Sequence, residues 1–161
     1  MKQFLFLVCS DFKAAYENLS GFRLFARGMT NSSLHACILV RAGQCSPSWI
    51  FWIWRRLLIS CHGMDVGRGV SIGPAFSLPH PVGIVIGRGV TIGARCAIFQ
   101  GVTLGRARDK YPRIGSDVVI YPNAIIVGDI DIPDGTRVRA LSFLPESREL
   151  CIGQERYNRE G

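Results

Sequence analysis

Histidine is scarce in this chain, with three in 161 residues: His35, His62 and His80. His80 stands apart because prolines flank it at positions 79 and 81. Each proline fixes its own φ, so the imidazole is held in place rather than carried on a loose loop. A neutral imidazole is well suited to accept a proton near pH 7, which makes His80 the candidate general base. Downstream, Arg106, Arg108, Lys110 and Arg113 place four basic groups within eight positions. Guanidinium groups donate paired, charge-assisted hydrogen bonds, so this cluster suits the phosphates of a polyanionic small molecule. A catalytic zinc would need about three protein ligands. His62 lies eighteen residues before His80, but no third ligand accompanies them, and no metal is expected.

Both features fall at interruptions in a repeat. Val, Ile or Leu recurs at every sixth position through Val66, Ile72, Leu78, then Ile86, Ile92, Ile98, Leu104, then Ile114, Ile120, Ile126, Ile132 and Val138. A period of six fits neither the helix nor the simple alternation of a strand. It marks a hexapeptide-repeat solenoid, a parallel β-helix. A β-sandwich, with turns every ~8–12 residues, would not keep such a register. The fourth residue after each marked one is apolar or small, as at Val70, Phe76, Val82, Val90, Cys96 and Val102, which predicts a second inward side chain per hexad. Gly73, Gly87, Gly93, Gly105 and Gly115 directly follow marked residues, where glycine is expected to relieve the steric cost of a tight, sometimes positive-φ backbone. His80 occupies the first break in register, and the basic cluster the second, which is expected to project as a loop over a neighbouring surface.

These elements divide the chain into an N-terminal helical region (1–62), a β-helix domain (63–143) and a polar C-terminal tail (144–161). Ser10 is expected to cap a helix over 11–19, with a short helix at 22–26. Residues 31–33 should cap one over 34–42, and Pro47 should open another over 48–60. The last is apolar on nearly every face and is expected to be buried against the solenoid end and neighbouring subunits, or to rest on a membrane surface. The opening apolar run at 4–9 ends at Asp11 and reads as mature protein rather than a secretion signal. No run approaches the ~18–20 apolar residues of a membrane span.

The net charge of +7 comes largely from arginines spaced singly along the solenoid, without aromatic interleaving, so nucleic acid is not an expected partner. The six cysteines show no CxxC spacing and suit a reducing compartment, so a cytoplasmic location is expected, with possible membrane association through 48–60.

The string Pro79-His80-Pro-Val-Gly83-Ile-Val-Ile-Gly87, then Ile98-Phe-Gln-Gly101-Val-Thr-Leu-Gly105, then Pro112-Arg-Ile-Gly115, resembles the serine acetyltransferase family. That family carries H-x-x-G-I-V-I/V-G, L-x-Q-G-V-T-L-G, a loop, and P-K-I-G in this order. The resemblance covers roughly residues 62–140 and implies a left-handed β-helix, a homotrimer and acetyl-coenzyme A as donor. It implies that His80 is the catalytic base and that Asp65, fifteen residues earlier, is its carboxylate partner. Amides of the Gly101–Gly105 segment become candidate oxyanion or pantetheine contacts, and Arg106, Arg108, Lys110 and Arg113 candidate holders of the coenzyme phosphates.

The chain also departs from the family. Pro79 stands where the family has Asp, and Lys110-Tyr111 where it has Arg-His, groups that help hold serine. The loop and the helical region are shorter, and the closing G-x-P-A segment is missing. These departures point toward the sugar and capsule O-acetyltransferase branch, with Tyr111 as a flat surface for a sugar ring. The expected activity is acetyl transfer to a hydroxyl of a sugar or polysaccharide precursor, with serine acetylation as the alternative.

Overall fold

Strands of two or three residues, most ending on the inward residue of a hexad, wind the chain into a parallel β-helix. The computed structural model describes residues 2–15 and 31–145. Three flat faces stack side by side. The first holds β1 (Asp65–Val66), β3 (Val85–Ile86), β6 (Thr103–Gly105), β9 (Ile125–Val127) and β12 (Phe143–Leu144). The second holds β2 (Ser71–Ile72), β4 (Thr91–Ile92), β7 (Arg113–Ile114) and β10 (Asp131–Ile132). The third holds β5 (Ala97–Ile98), β8 (Val119–Ile120) and β11 (Arg137–Val138), with Ser77 bridged to Ala97 one coil before. Partners across coils are equivalent hexad positions: Val66 meets Ile86, Ile86 meets Leu104, and Leu104 meets Ile126.

All twelve marked residues are buried, and they form one continuous column of core. The second inward set holds at Val70, Phe76, Val90, Cys96 and Val102, but Val82 is 61% exposed. Ile84, fully buried, takes its place. Side chains alternate along extended backbone, so the inward neighbour is fixed two residues before the next strand residue rather than four after the last one. An insertion therefore moves it, and Val82 lies within the insertion.

The glycines after the strands have a different cause from the expected one. Gly73, Gly93 and Gly115 do not adopt positive φ. A Cβ on Gly93 would lie 2.6 Å from the Gly115 carbonyl group, and one on Gly73 2.7 Å from the Ala94 nitrogen. Close approach of adjacent coils excludes a side chain there. The left-handed conformation falls two residues later, on Ala75 (φ 58°), Arg95 (55°) and Asp117 (59°).

Three described helices precede the solenoid. α1 spans Lys2–Ala15, so Ser10 lies inside the helix rather than capping it. Of the expected helix at 11–19 only the first five positions are described, and 22–26 lies outside the described residues. α2 spans Ser32–Cys45, where the Asn31 side chain accepts from the amides of Ser33 (2.9 Å) and Leu34 (3.4 Å). α3 spans Phe51–His62 and ends at Gly63 in the left-handed conformation. Its Trp52 and Ile53 are more than half exposed, so burial on several sides does not occur within one chain. No described helix is long and apolar enough to cross a membrane.

A buried ion pair ties these helices to the first coil. Arg41 of α2, with no exposed surface, donates to both carboxylate oxygens of Asp11 in α1 (2.8 and 2.9 Å). It also donates to the carbonyls of Ile72 (2.7 Å) and Gly73 (2.6 Å), while Asp11 accepts from the Phe76 amide (2.8 Å). Such a charge pair is tolerable out of water only when its remaining hydrogen-bonding positions are satisfied, as they are here.

Candidate active site

The corner between the third and first faces carries His80. Pro81 is buried and anchors the turn, while the imidazole is exposed. The Val82 amide donates to the His80 carbonyl (2.8 Å), and the Gly101 amide of the next coil donates to the Val82 carbonyl (2.9 Å). Gly83 sits at φ 66°, where L side chains are strained. The ring is thus presented outward from a backbone pinned on both sides.

Stacking repeats this corner once per coil. Phe99 lies one coil on, its ring 6.2 Å from that of His80, and Tyr121 stacks on Phe99 at 5.5 Å. Neither aromatic stood out in the sequence, although each directly follows a marked residue of the third face, Ile98 and Ile120. Between Phe99 and Gly101, the side-chain oxygen of Gln100 is buried with no hydrogen-bond partner among the described residues. A buried acceptor left unpaired costs ~1–3 kcal/mol.

Asp65 opens β1 on the first face, and its amide donates to the Ile84 carbonyl (2.9 Å). Its carboxylate makes no hydrogen bond to His80. Both oxygens accept instead from Arg55 of α3, at 2.6 and 2.7 Å, and that guanidinium lies 5.5 Å from the Trp52 ring centre. These hydrogen bonds hold the Asp65 carboxyl below its ordinary pKa range, with burial opposing. Arg55 carried no signal in the sequence, because only the docking of α3 on the first coil brings it there.

The glycine segment contributes less than expected. The Gly101 amide is already committed to Val82, so it is not available for an oxyanion. Its lack of a side chain matters for space, since a Cβ there would lie 2.0 Å from the Asn123 side-chain oxygen. Gly105 ends β6 at the far edge of the first face.

That far edge carries the basic cluster. Ala107 and Lys110 exchange two backbone hydrogen bonds (3.1 and 2.9 Å), with Arg108 and Asp109 between them at positive φ. The second interruption therefore closes as a tight hairpin turn rather than an extended loop. Arg106 pairs with Asp109 (3.0 Å), Lys110 with Asp129 (2.5 Å), and Arg113 with both Asp129 (3.1 Å) and Asp131. Arg108 alone of the four has no ion-pair partner among the described residues. The Tyr111 ring lies on the corner below, 3.3 Å from where a Gly87 Cβ would stand and 3.0 Å from that of Gly89.

The two edges are separated by one strand and its flanks. About six residues at ~3.3 Å each put roughly 20 Å between His80 and the basic edge. One chain does not bring its base and its cations together. Asp65 pairs with Val85, so the first coil spans twenty residues rather than eighteen and His62 is not in register with His80. His62 is the last residue of α3 and meets His35, nitrogen to nitrogen, at 2.8 Å. Among the described residues no three His, Cys, Asp or Glu side chains gather in a way that could hold a metal.

No family model matches the chain. Its sequence is 31% identical to the serine acetyltransferase of Bacillus subtilis over 124 residues, covering 72% of this chain and 57% of the relative. Serine acetyltransferase isoform 3 of Entamoeba histolytica, solved in complex with cysteine, superposes with a TM-score of 0.71 at 30% identity, covering 88% of this chain and 54% of that one. The Neisseria gonorrhoeae serine acetyltransferase superposes at 0.73 with 26% identity, covering 90% and 60%. The chain spans about half the length of the relatives it matches. With these neighbours the solenoid is the left-handed parallel β-helix that the motifs implied. The expected sugar and capsule branch gains no support, since these relatives are named serine acetyltransferases.

Proposed function

We propose, for a chain whose repeats and fold are serine acetyltransferase-like, that it transfers acetyl from acetyl-coenzyme A to the hydroxyl of serine. The observation that carries this reading is the likeness to serine acetyltransferases across the segment that presents His80. His80 takes the hydroxyl proton as the oxygen attacks the thioester carbonyl. The tetrahedral intermediate then collapses, the coenzyme thiolate leaves, and the imidazolium returns the proton to it.

The active unit is proposed to be a homotrimer, in which the His80 edge of one copy meets the basic edge of the next. The separation of those edges within one chain favours this. So do Val85, Ile125 and Phe143, about 40% or more exposed along the intervening face. Arg108 is the cation of the hairpin left to meet a coenzyme phosphate.

A sugar acceptor was suggested by Pro79 and by Tyr111 as a stacking surface. The Tyr111 ring instead covers Gly87 and Gly89, which leaves it less surface to offer. Coenzyme A release should be measured with serine, homoserine and a panel of nucleotide sugars. Serine should give the highest kcat/KM. Saturable turnover of a sugar with none of serine would overturn the assignment.

A further inference from the structure

α3 does not lie flat on the solenoid. A groove of about 190 Å³ opens between it and the first two coils, lined by Trp52, Arg55, Asp65, Arg68 and Arg88 among others. Arg68 and Arg88 occupy the same place in successive coils, in the strings Val66-Gly-Arg68-Gly-Val70 and Ile86-Gly-Arg88-Gly-Val90. The coils are in contact there, since a Cβ on Gly67 would fall 2.4 Å from the Arg88 nitrogen. The two arginines therefore leave backbones about one strand spacing apart, ~4.8 Å. Both are exposed, and neither has an ion-pair partner among the described residues.

Like charges held so close repel unless an anion lies between them. Two other arginines of the solenoid are given an anion by the protein itself. Arg95 is paired with Asp117, and Arg113 with Asp129 and Asp131. The one carboxylate of the groove among the described residues, Asp65, is already bound on both oxygens by Arg55. Three guanidiniums against one carboxylate leave an excess of two positive charges. Trp52, 55% exposed, borders them with an apolar ring.

We propose that this groove is a binding site for a small phosphate-bearing anion, held by Arg68 and Arg88, with Trp52 against the body of the molecule. Phosphate matches the excess charge, and each guanidinium can donate to it through two parallel N–H groups. The site lies at the edge of the first face opposite His80, and it stands on charge and geometry apart from the acetyl-transfer reading.

Calorimetric titration of the full chain with inorganic pyrophosphate, at ionic strength held constant with chloride, tests the site. Saturable binding is expected, weakened roughly tenfold or more by Arg68→Gln or Arg88→Gln and partly restored by Arg68→Lys. His80→Ala should bind as the parent does, so a failure of the transfer reading would leave this result standing. Competition identifies the source of the phosphate. Displacement by coenzyme A but not by its 3′-dephospho form assigns it to a donor. Displacement by glucose 1-phosphate assigns it to a phosphorylated acceptor, and displacement by neither assigns the site to the inorganic ion. Circular dichroism confirms that each variant folds. No saturable heat above chloride, or an Arg68→Gln/Arg88→Gln protein that binds like the parent, would overturn the proposal.

Discussion

Asp65 gives both carboxylate oxygens to Arg55, at 2.6 and 2.7 Å, and neither to His80. The carboxylate is thereby kept ionised but drawn toward α3. If Asp65 is nevertheless the partner of His80 in the working enzyme, Arg55 competes for it. Arg55→Gln should then free the carboxylate, stabilise the imidazolium and raise the apparent pKa of the acid limb of kcat/KM. The Arg55→Gln/Asp65→Asn protein should lose that rise. A limb identical in Arg55→Gln and the parent would remove Asp65 from the dyad.

His80→Ala should lower kcat by ~10²–10⁴-fold, the usual worth of a general base. The ring is exposed and among the described residues makes only a ring contact with Phe99, so the melting temperature should hardly move. Most of the activity surviving with the fold intact would place the base elsewhere.

The hairpin cations should divide by their partners. Arg108→Gln should raise the KM for acetyl-coenzyme A and leave that for serine unchanged, because its charge has no ion-pair partner among the described residues. Arg113→Gln should have the smaller effect on that KM, since Asp129 and Asp131 already hold Arg113. Equal effects would mean that the acidic partners give way when the coenzyme binds.

Two small substitutions should separate close approach from backbone strain. Gly93→Ala forces a methyl to within 2.6 Å of the next coil's backbone and should destabilise by about 1–3 kcal/mol. Ala75→Gly relieves a φ of 58° and should be neutral or stabilising, by at most about 1 kcal/mol. Chemical denaturation measures both. The reverse order would restore positive φ as the reason for glycine after each strand.

His62 is buried, and that burial, with the neighbouring His35, lowers its pKa in the folded chain. The unfolded chain therefore takes up the proton first as pH falls. The stability linked to this group is complete above its ordinary pKa of about 6.5 and is lost as pH falls toward the folded value. Melting temperature should drop between pH 7.5 and 5.5, before the carboxylates titrate, and the drop should shrink in His62→Gln. An unchanged pH slope in that variant would show the pair to be neutral to stability.

The period of six was enough, by itself, to place the marked residues in one column, and all twelve are buried. A repeat is legible because each hexad meets its own equivalent in the next coil, so local spacing and tertiary contact carry the same information. The flanking prolines likewise made His80 visible as a ring held in place. Tertiary structure decided what depends on different parts of the chain meeting. Val82 left the core because an insertion resets the inward register from the following strand. Glycine was required after strands by the neighbouring coil's backbone, which no local rule reports. Arg55 reached Asp65, and His35 reached His62, only because α2 and α3 dock on the first coil. The four hairpin cations looked alike in sequence, yet acidic residues from the hairpin and the next coil, nineteen or fewer positions away, engage all but Arg108. Hexad spacing encodes contacts between like positions, whereas the charge pairing at the site arises between unlike ones, and only the fold brings those together.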